Sequence, residues 1–229
     1  MKFFSYLMII FCIPSCQQDT NLVVTQTYFD TSKTKIKSEG TIDKVSQLKE
    51  GIWKNYNRKG KLVEEGPYKS DQQTGTWKYF HPSGKVKSKG ELLNGKKEGI
   101  WKHFYDDGDL SFTANYVNNQ QDGKCQAFYK NGKLSTESFY KNGKLNGAHI
   151  TFSSKNPDTT LYLTYVDNIR MGLFKKYHDG KPYVVGYWKP EVGLIGKVYH
   201  YRNEKLIKVE YKDNDGKTIS TEFTPKSRF

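Results

Sequence analysis

The chain has 229 residues and a formal charge of +13, and it is rich in aromatic residues, with 17 Tyr, 13 Phe and 4 Trp. No window keeps the apolar period of a helix, which excludes a helical fold. Of its three cysteines, Cys12 and Cys16 lie near the N-terminus and only Cys125 lies in the body of the chain. A disulfide framework is therefore excluded, and stability must come from packed aromatic side chains.

Residues 1–15 have the pattern of an export signal. The apolar run from Phe3 to Ile13 is too short to span a bilayer but suits the apolar part of a signal peptide. It ends in Ile13-Pro14-Ser15-Cys16, which resembles the lipobox of bacterial lipoproteins. The resemblance implies that Cys16 carries several acyl chains. This number suffices for stable membrane anchoring, which requires more than one acyl chain. By the sorting pattern of the lipoproteins that it resembles, Gln17 after the cysteine implies the outer membrane rather than the inner one. An ordinary secretory signal is the alternative.

The remaining chain divides by composition. Residues 16–33 are polar, and we expect them to carry the acylated cysteine and form a tether to the membrane. Residues 34–223 are predicted to form one repeat domain that begins with a worn copy at 34–42. Residues 224–229 form a short tail.

A six-residue motif recurs with a period of 24 through the body of the chain. Gly51-Ile-Trp53-Lys-Asn-Tyr56 returns as Gly75-Thr-Trp77-Lys-Tyr-Phe80 and as Gly99-Ile-Trp101-Lys-His-Phe104. More divergent copies begin at Gly123, Gly147, Gly172 and Gly196, the last two after a slip of one residue. A fixed period of this size predicts stacked structural repeats.

Each unit contains two short β-prone segments and two turns, which predicts successive hairpins. Pairs such as Asn94-Gly95 and Asn142-Gly143 favour tight hairpins because both central residues need positive φ. We therefore predict an all-β fold, an elongated single antiparallel sheet of about seven hairpins that advances ~9.6 Å per unit.

Two columns of side chains should run along this sheet as its core. The first contains Trp53, Trp77, Trp101, Cys125, His149, Phe174 and Val198. The second contains Tyr56, Phe80, Phe104, Phe128, Phe152, Tyr177 and Tyr201. The two columns are three residues apart, so either both faces carry aromatic residues or a bulge brings the columns together.

The unit resembles the variant MORN repeat of bacterial proteins over residues 34–223. Tyr129-Lys130-Asn131-Gly132-Lys133 and Tyr140-Lys141-Asn142-Gly143-Lys144 carry the resemblance most closely. It implies a fold of stacked β-hairpins. Many proteins with this repeat are labelled antitoxins of toxin–antitoxin pairs, which is a weak alternative here because of the export signal.

Catalytic and metal sites are not indicated. The five histidines fall in separate repeats without metal-ligand spacing, and Cys125 occupies a tryptophan position without a histidine partner. Asp213-Asn-Asp215-Gly216 resembles the opening of a calcium loop but lacks its closing glutamate, so a turn is predicted. No cofactor is expected.

Lysines recur at two repeat positions and should form ladders along the sheet. One position holds Lys54, Lys78, Lys102 and Lys175, and the other holds Lys61, Lys85, Lys133, Lys181 and Lys205. A spacing of ~9.6 Å keeps mutual repulsion mild, since it is near the Debye length in physiological salt, while one long anion could contact many lysines. A solvated face is the alternative, and export argues against nucleic acid as the partner.

Three functions follow from these patterns. The first is a membrane-anchored, non-enzymatic scaffold for a partner protein or an anionic envelope polymer. The second is an antitoxin or immunity protein, and the third is an envelope enzyme acting on glycans through residues 153–171. Residues 153–160 replace a regular turn, and we expect an exposed loop beside the partner-binding surface or a merely tolerated insertion.

Overall fold

The computed structural model describes residues 21–156 and 158–223. These residues form one antiparallel sheet of 18 strands. The first nine strands are β1 Leu22–Tyr28, β2 Ile36–Asp43, β3 Lys49–Tyr56, β4 Leu62–Lys69, β5 Gln72–Gln73, β6 Gly75–Phe80, β7 Val86–Leu93, β8 Lys96–Phe104 and β9 Leu110–Val117. The other nine are β10 Gln120–Phe128, β11 Leu134–Lys141, β12 Lys144–Phe152, β13 Thr159–Val166, β14 Ile169–His178, β15 Lys181–Lys189, β16 Gly193–Arg202, β17 Lys205–Lys212 and β18 Thr218–Phe223. Nowhere in these two ranges is there a helix with the length and apolar character needed to cross a membrane.

The predicted single sheet of stacked hairpins is confirmed. Successive strands pair antiparallel, with Trp53 opposite Gly66 between β3 and β4, and Trp77 opposite Gly90 between β6 and β7. Extensive contacts within the described residues join only strands that follow one another, except that β4 contacts both β5 and β6. The sheet is therefore a single layer, and within the described chain no other element covers either face.

A strand forms within the segment that was expected to be a tether. β1 pairs with β2 along its whole length, with Val23 opposite Ile42 and Thr25 opposite Gly40. The tether expectation does not hold for residues 22–28, because β-branched Val and Thr favour extended backbone and because β2 would otherwise present an unpaired edge. The leader, Cys16 and the tail at 224–229 lie outside the described residues.

Turns of two kinds line the two long edges of the sheet. On the tight-turn edge, two-residue turns have positive φ at both positions, as at Asn118 (50°) and Asn119 (71°). On the opposite, wide-turn edge, five-residue turns close on a glycine, as where the amide of Gly60 donates to the carbonyl of Asn57 at 2.9 Å. After β14 and β16, two-residue turns lie on the wide-turn edge, at Asp179-Gly180 and Asn203-Glu204, and the turn at Asp213 on the tight-turn edge has five residues.

The three tryptophans of the first column are the best-buried large side chains, with Trp53 at 2% and Trp77 and Trp101 at 0% exposure. Each indole lies against a glycine of the preceding strand, and a Cβ placed on Gly66 would fall 2.4 Å from the Trp77 ring. The indole N–H of Trp77 donates to the carbonyl of Pro67 at 3.2 Å. The tryptophan thus occupies the volume that a side chain at the glycine would need.

Where the glycine is replaced, the tryptophan is replaced as well. Ala114 faces Cys125, Ser138 faces His149, and Leu163 faces Phe174. The hydroxyl of Ser138 is hydrogen-bonded to Nδ1 of His149 at 2.8 Å. In each pair, the residue at the tryptophan position is smaller than tryptophan, and it leaves room for the Cβ of the residue that faces it on the neighbouring strand.

Both faces of the sheet carry aromatic residues. In β7, Ser88, Gly90 and Leu92 are buried, while the residues between them are exposed. The buried set lies on the tryptophan face, named for Trp53, Trp77 and Trp101. The second column lies on the opposite face, since the ammonium group of Lys89, which belongs to the exposed set, is 5.7 Å from the ring centroid of Phe104.

Candidate functional site

The face opposite the tryptophans gathers lysines on neighbouring strands, and we call it the lysine face after Lys54, Lys78, Lys89 and Lys102. Lys78 lies directly opposite Lys89, which in turn lies directly opposite Lys102. Glu65 lies opposite both Lys54 and Lys78 and forms an ion pair with Lys78 at 2.9 Å. The four lysines span β3 to β8, a distance of ~19 Å at ordinary strand spacing.

Like charges that lie directly opposite each other on neighbouring strands destabilise a sheet. Lys89 and Lys102 are both exposed, and within the described residues neither has an acidic partner at ion-pair distance. Lys89 and Lys102 thus carry positive charge that no acidic side chain among the described residues neutralises, whereas Lys78 is paired with Glu65.

Sequence reasoning missed Lys89, because that residue lies on the second strand of its hairpin and outside the Gly-x-Trp motif. The signal that could have found it is the alternation of Lys87, Ser88, Lys89 and Gly90, which places Lys89 on the face opposite the glycine. Lys175 occupies the repeat position of Lys102 near the other end of the sheet, where its ammonium group lies 6.0 Å from the Tyr162 ring centroid.

The second lysine ladder supports the turns of the array. The ammonium group of Lys85 donates to the carbonyl of Asp107 in the next wide turn at 2.6 Å. Lys61 and Lys133 make the equivalent bonds to Pro82 and Lys155. These three lysines are exposed, and their ammonium groups are held by the neighbouring repeat. Lys181, further along, forms an ion pair with Glu204 at 2.9 Å.

The aromatic residues of the second column flank the lysines on the wide-turn side. The hydroxyl of Tyr56 donates a hydrogen bond to the carboxylate of Glu39 at 2.6 Å. Burial, followed by this carboxylate, raises the pKa of Tyr56 to about 12, and the same hydrogen bond holds the pKa of Glu39 below its usual value. The other members of this column are also half-buried: Phe80, Phe104, Phe128, Phe152 and Tyr177.

Carboxylates flank the lysines on the tight-turn side. Glu91 accepts a hydrogen bond from the hydroxyl of Thr76, and Glu98 lies opposite Glu91 and accepts one from the amide of Asn118 at 3.1 Å. From β6 to β8 the lysine face is therefore banded, with acids, then lysines, then aromatic rings, whereas between β3 and β6 Glu65 lies within the lysine row.

The irregular turn after β12 is a wide turn with one additional residue. The amide of Ser153 donates to the carbonyl of Asp158 at 2.9 Å. One repeat earlier, the amide of Tyr129 donates to the carbonyl of Lys133. The turn lines a shallow recess of about 200 Å³ with His178 and Asp179. The carboxylates of Asp158 and Asp179 both line this recess, and the side chain of Asp179 is 85% exposed. Pro157 lies outside the described residues.

The remaining candidate residues are dispersed. Among residues 21–156 and 158–223, no group of three His, Cys, Asp or Glu side chains could hold a metal ion. Burial raises the pKa of the Cys125 thiol to about 11, so the thiol stays protonated and unreactive at neutral pH. Burial lowers the pKa of His103, with the nearby Lys97 and Lys87 adding to the effect, and burial also lowers that of His149.

A comparison with known protein families also finds repeats in this chain. The MORN repeat variant family matches residues 49–70, 73–94, 97–118 and 121–147. These segments correspond to successive hairpins of the sheet, and repeats of this family generally serve as non-enzymatic binding or scaffold modules. A search of curated proteins gave no match.

Many chains of solved structures have detectable similarity to this chain, and the following two are among them. One is a chain from the Photorhabdus luminescens Tc holotoxin pore, with 11% identity and a TM-score of 0.23 over 89% of this chain and 15% of that chain. The other is a chain from the crystal structure of TcdB2-TccC3-Cdc42, with 11% identity and a TM-score of 0.22 over 88% of this chain and 15% of that chain. The present chain thus spans a small part of the length of either one.

Proposed function

We propose that this protein is a non-enzymatic binding module, anchored to the bacterial envelope through Cys16, whose lysine face holds an extended anionic polymer of the envelope. The observation that supports this most directly is the row of Lys78, Lys89 and Lys102, which face one another on adjacent strands. Their mutual repulsion weakens the sheet slightly, and a bound polyanion relieves it.

The shape of the face fits an extended partner better than a small ligand. The lysines form a straight row on an uncovered single-layer sheet, so a linear polyanion contacts several of them together. Each exposed contact contributes little alone, typically below ~1 kcal/mol, but several contacts with one chain add up.

The test is a binding titration with poly-L-glutamate and with an anionic polysaccharide at physiological salt. A variant with Lys54→Gln, Lys78→Gln, Lys89→Gln and Lys102→Gln should bind both at least about tenfold more weakly, the equivalent of ~1.4 kcal/mol. The matched control removes four exposed lysines elsewhere, through Lys144→Gln, Lys155→Gln, Lys205→Gln and Lys217→Gln. Equal losses in the two variants would show that only net charge matters and would refute a dedicated face.

The anchor is tested separately in the bacterial envelope. Cys16→Ser should prevent lipid labelling and release the protein from the membrane fraction. A mature N-terminus at any residue other than 16 would refute the anchor while leaving the binding face untouched.

A further inference from the structure

The lysines of the proposed binding face share their strands with aromatic rings. Lys54 and Tyr56, Lys78 and Phe80, and Lys102 and Phe104 are each two residues apart, so both members project from one face at a separation of ~6.7 Å. Among the described residues no second layer lies over this face, although neighbours on the sheet half-bury these rings and the ammonium group of Lys89 is 5.7 Å from the Phe104 centroid. A partner that lies on the lysines therefore also meets a row of apolar ring surface.

Resting on the proposed function, we infer that the anionic partner is an acidic polysaccharide. A uronate-containing sugar chain offers carboxylates to the lysines and apolar C–H faces of its rings to Phe80 and Phe104. Aromatic rings carry a negative face that attracts such C–H groups, and this adds to their apolar contact. The repeat advance of ~9.6 Å, two strand spacings, is close to the length of one disaccharide in an extended chain.

The carboxylates on the tight-turn side distinguish this partner from polyphosphate and nucleic acid. Sugar hydroxyls donate hydrogen bonds, so Glu91 and Glu98 accept from them. A phosphate backbone presents acceptors there, and the same two carboxylates repel it. The lysine row also contains no arginine, the residue best matched to planar bidentate recognition of phosphate.

The test compares polygalacturonate, polyphosphate and single-stranded DNA as probes. The variant Phe80→Leu/Phe104→Leu keeps every charge and should bind polygalacturonate at least about fivefold more weakly, a loss of ~1 kcal/mol. Its binding of polyphosphate should change less than about twofold, since that polymer has no apolar face to lose. The quadruple lysine variant should lose affinity for both.

The matched control is Phe128→Leu, because Phe128 belongs to the same aromatic column but its strand carries Gln126 where the others carry lysine. This variant should bind polygalacturonate as the native protein does. Thermal unfolding of each variant shows whether the fold is retained, and Phe→Met variants replace any that unfold.

The possible outcomes separate the two proposals. If the phenylalanine variant binds polygalacturonate normally while the lysine variant does not, the polysaccharide inference is wrong and the basic face stands. If the native protein prefers DNA to polygalacturonate and Phe80→Leu/Phe104→Leu weakens DNA binding, nucleic acid is the partner instead. If the lysine variant binds all probes normally, the proposed function itself fails.

Discussion

At the scale of single residues, burial in this protein depends on contacts between neighbouring strands. Trp77 is fully buried although the sheet has one layer, because its indole lies on Gly66 and packs edge-on against Tyr68 at a centroid distance of 5.3 Å. The ring of Tyr79 lies 6.4 Å away on the same face. The core is therefore a continuous row of rings, and a single substitution opens it to solvent.

Trp77→Ala should lower the free energy of unfolding by ~3–5 kcal/mol, the usual result of truncating a large core side chain. The neighbouring Lys78→Ala should cost less than ~1 kcal/mol, because Lys78 is 44% exposed and loses only a surface ion pair with Glu65. Urea denaturation of the two variants measures the difference. Equal midpoints would contradict the assignment of the two faces.

Partly buried histidines should make the fold sensitive to mild acid. The pKa of His103 is lowered in the folded state, so below the ordinary histidine value of about 6.5 the unfolded chain binds more protons than the folded one. Stability is thus fully present above that pH and falls as the pH drops toward the folded pKa. The unfolding midpoint of the native protein should fall as the pH is lowered from 7.5 to 5.5. The midpoint of the His103→Gln variant should fall less over the same range.

His178→Gln serves as the control for this pH series, since the side chain of His178 is 82% exposed. Its stability should follow the native curve. A native protein with constant stability from pH 7.5 to 5.5 would show that burial of His103 has no energetic consequence.

At the scale of strands and hairpins, the sequence predicted most of the architecture. The 24-residue period and the Asn-Gly turns were sufficient to predict stacked hairpins, because both signals are local. The tether was assigned from polar composition, which hid the pairing of β1 with β2. The position of Phe104 relative to Lys102 required knowledge of strand regularity, which the pattern left open.

The candidate site was less accessible to sequence reasoning for the same reason. Lys102 followed from the repeat, but its neighbour Lys89 belongs to another strand, and only the register places the two side by side. Lys85 shares a repeat position with Lys61 and Lys133, but the hydrogen bond from its ammonium group to the next turn depends on how the two turns lie in the folded sheet.

The match between a small residue on one strand and a large residue on the next gives a prediction at this scale. Gly90→Ala should destabilise the sheet by ~1–3 kcal/mol, because its Cβ would lie 2.4 Å from the Trp101 ring. Trp101→Cys alone should cost as much as a core truncation, ~3–5 kcal/mol. The double variant reproduces the native pair Ala114 and Cys125, and it should be more stable than the sum of the single effects by at least ~0.5 kcal/mol.

Urea denaturation of the four proteins in this cycle measures the coupling. Strict additivity would contradict the view that glycine and tryptophan are matched across the strands. Gly60→Ala is the comparison outside the core, since Gly60 has positive φ and no neighbour within 4 Å, so its effect should not depend on Trp101.

At the scale of the whole molecule, the two faces of the sheet differ in composition. The tryptophan face holds the array together and becomes irregular toward the C-terminus, where Phe174 and Val198 replace tryptophan. The lysine face is basic in its first half and changes to apolar and aromatic residues such as Ile150, Tyr162 and Tyr199. A partner that binds through charge should therefore lie on the N-terminal half.

Photo-crosslinking from single positions tests this most directly. A photoreactive residue at Ile100, 63% exposed on the lysine face beside Lys102, should capture the envelope polymer in intact cells. The same group at Ala127, half-buried on the tryptophan face, should not. Capture at Ile100 that is lost with the quadruple lysine variant is the predicted result. Equal capture at both positions, or capture at Ala127 alone, would contradict a binding site on the lysine face.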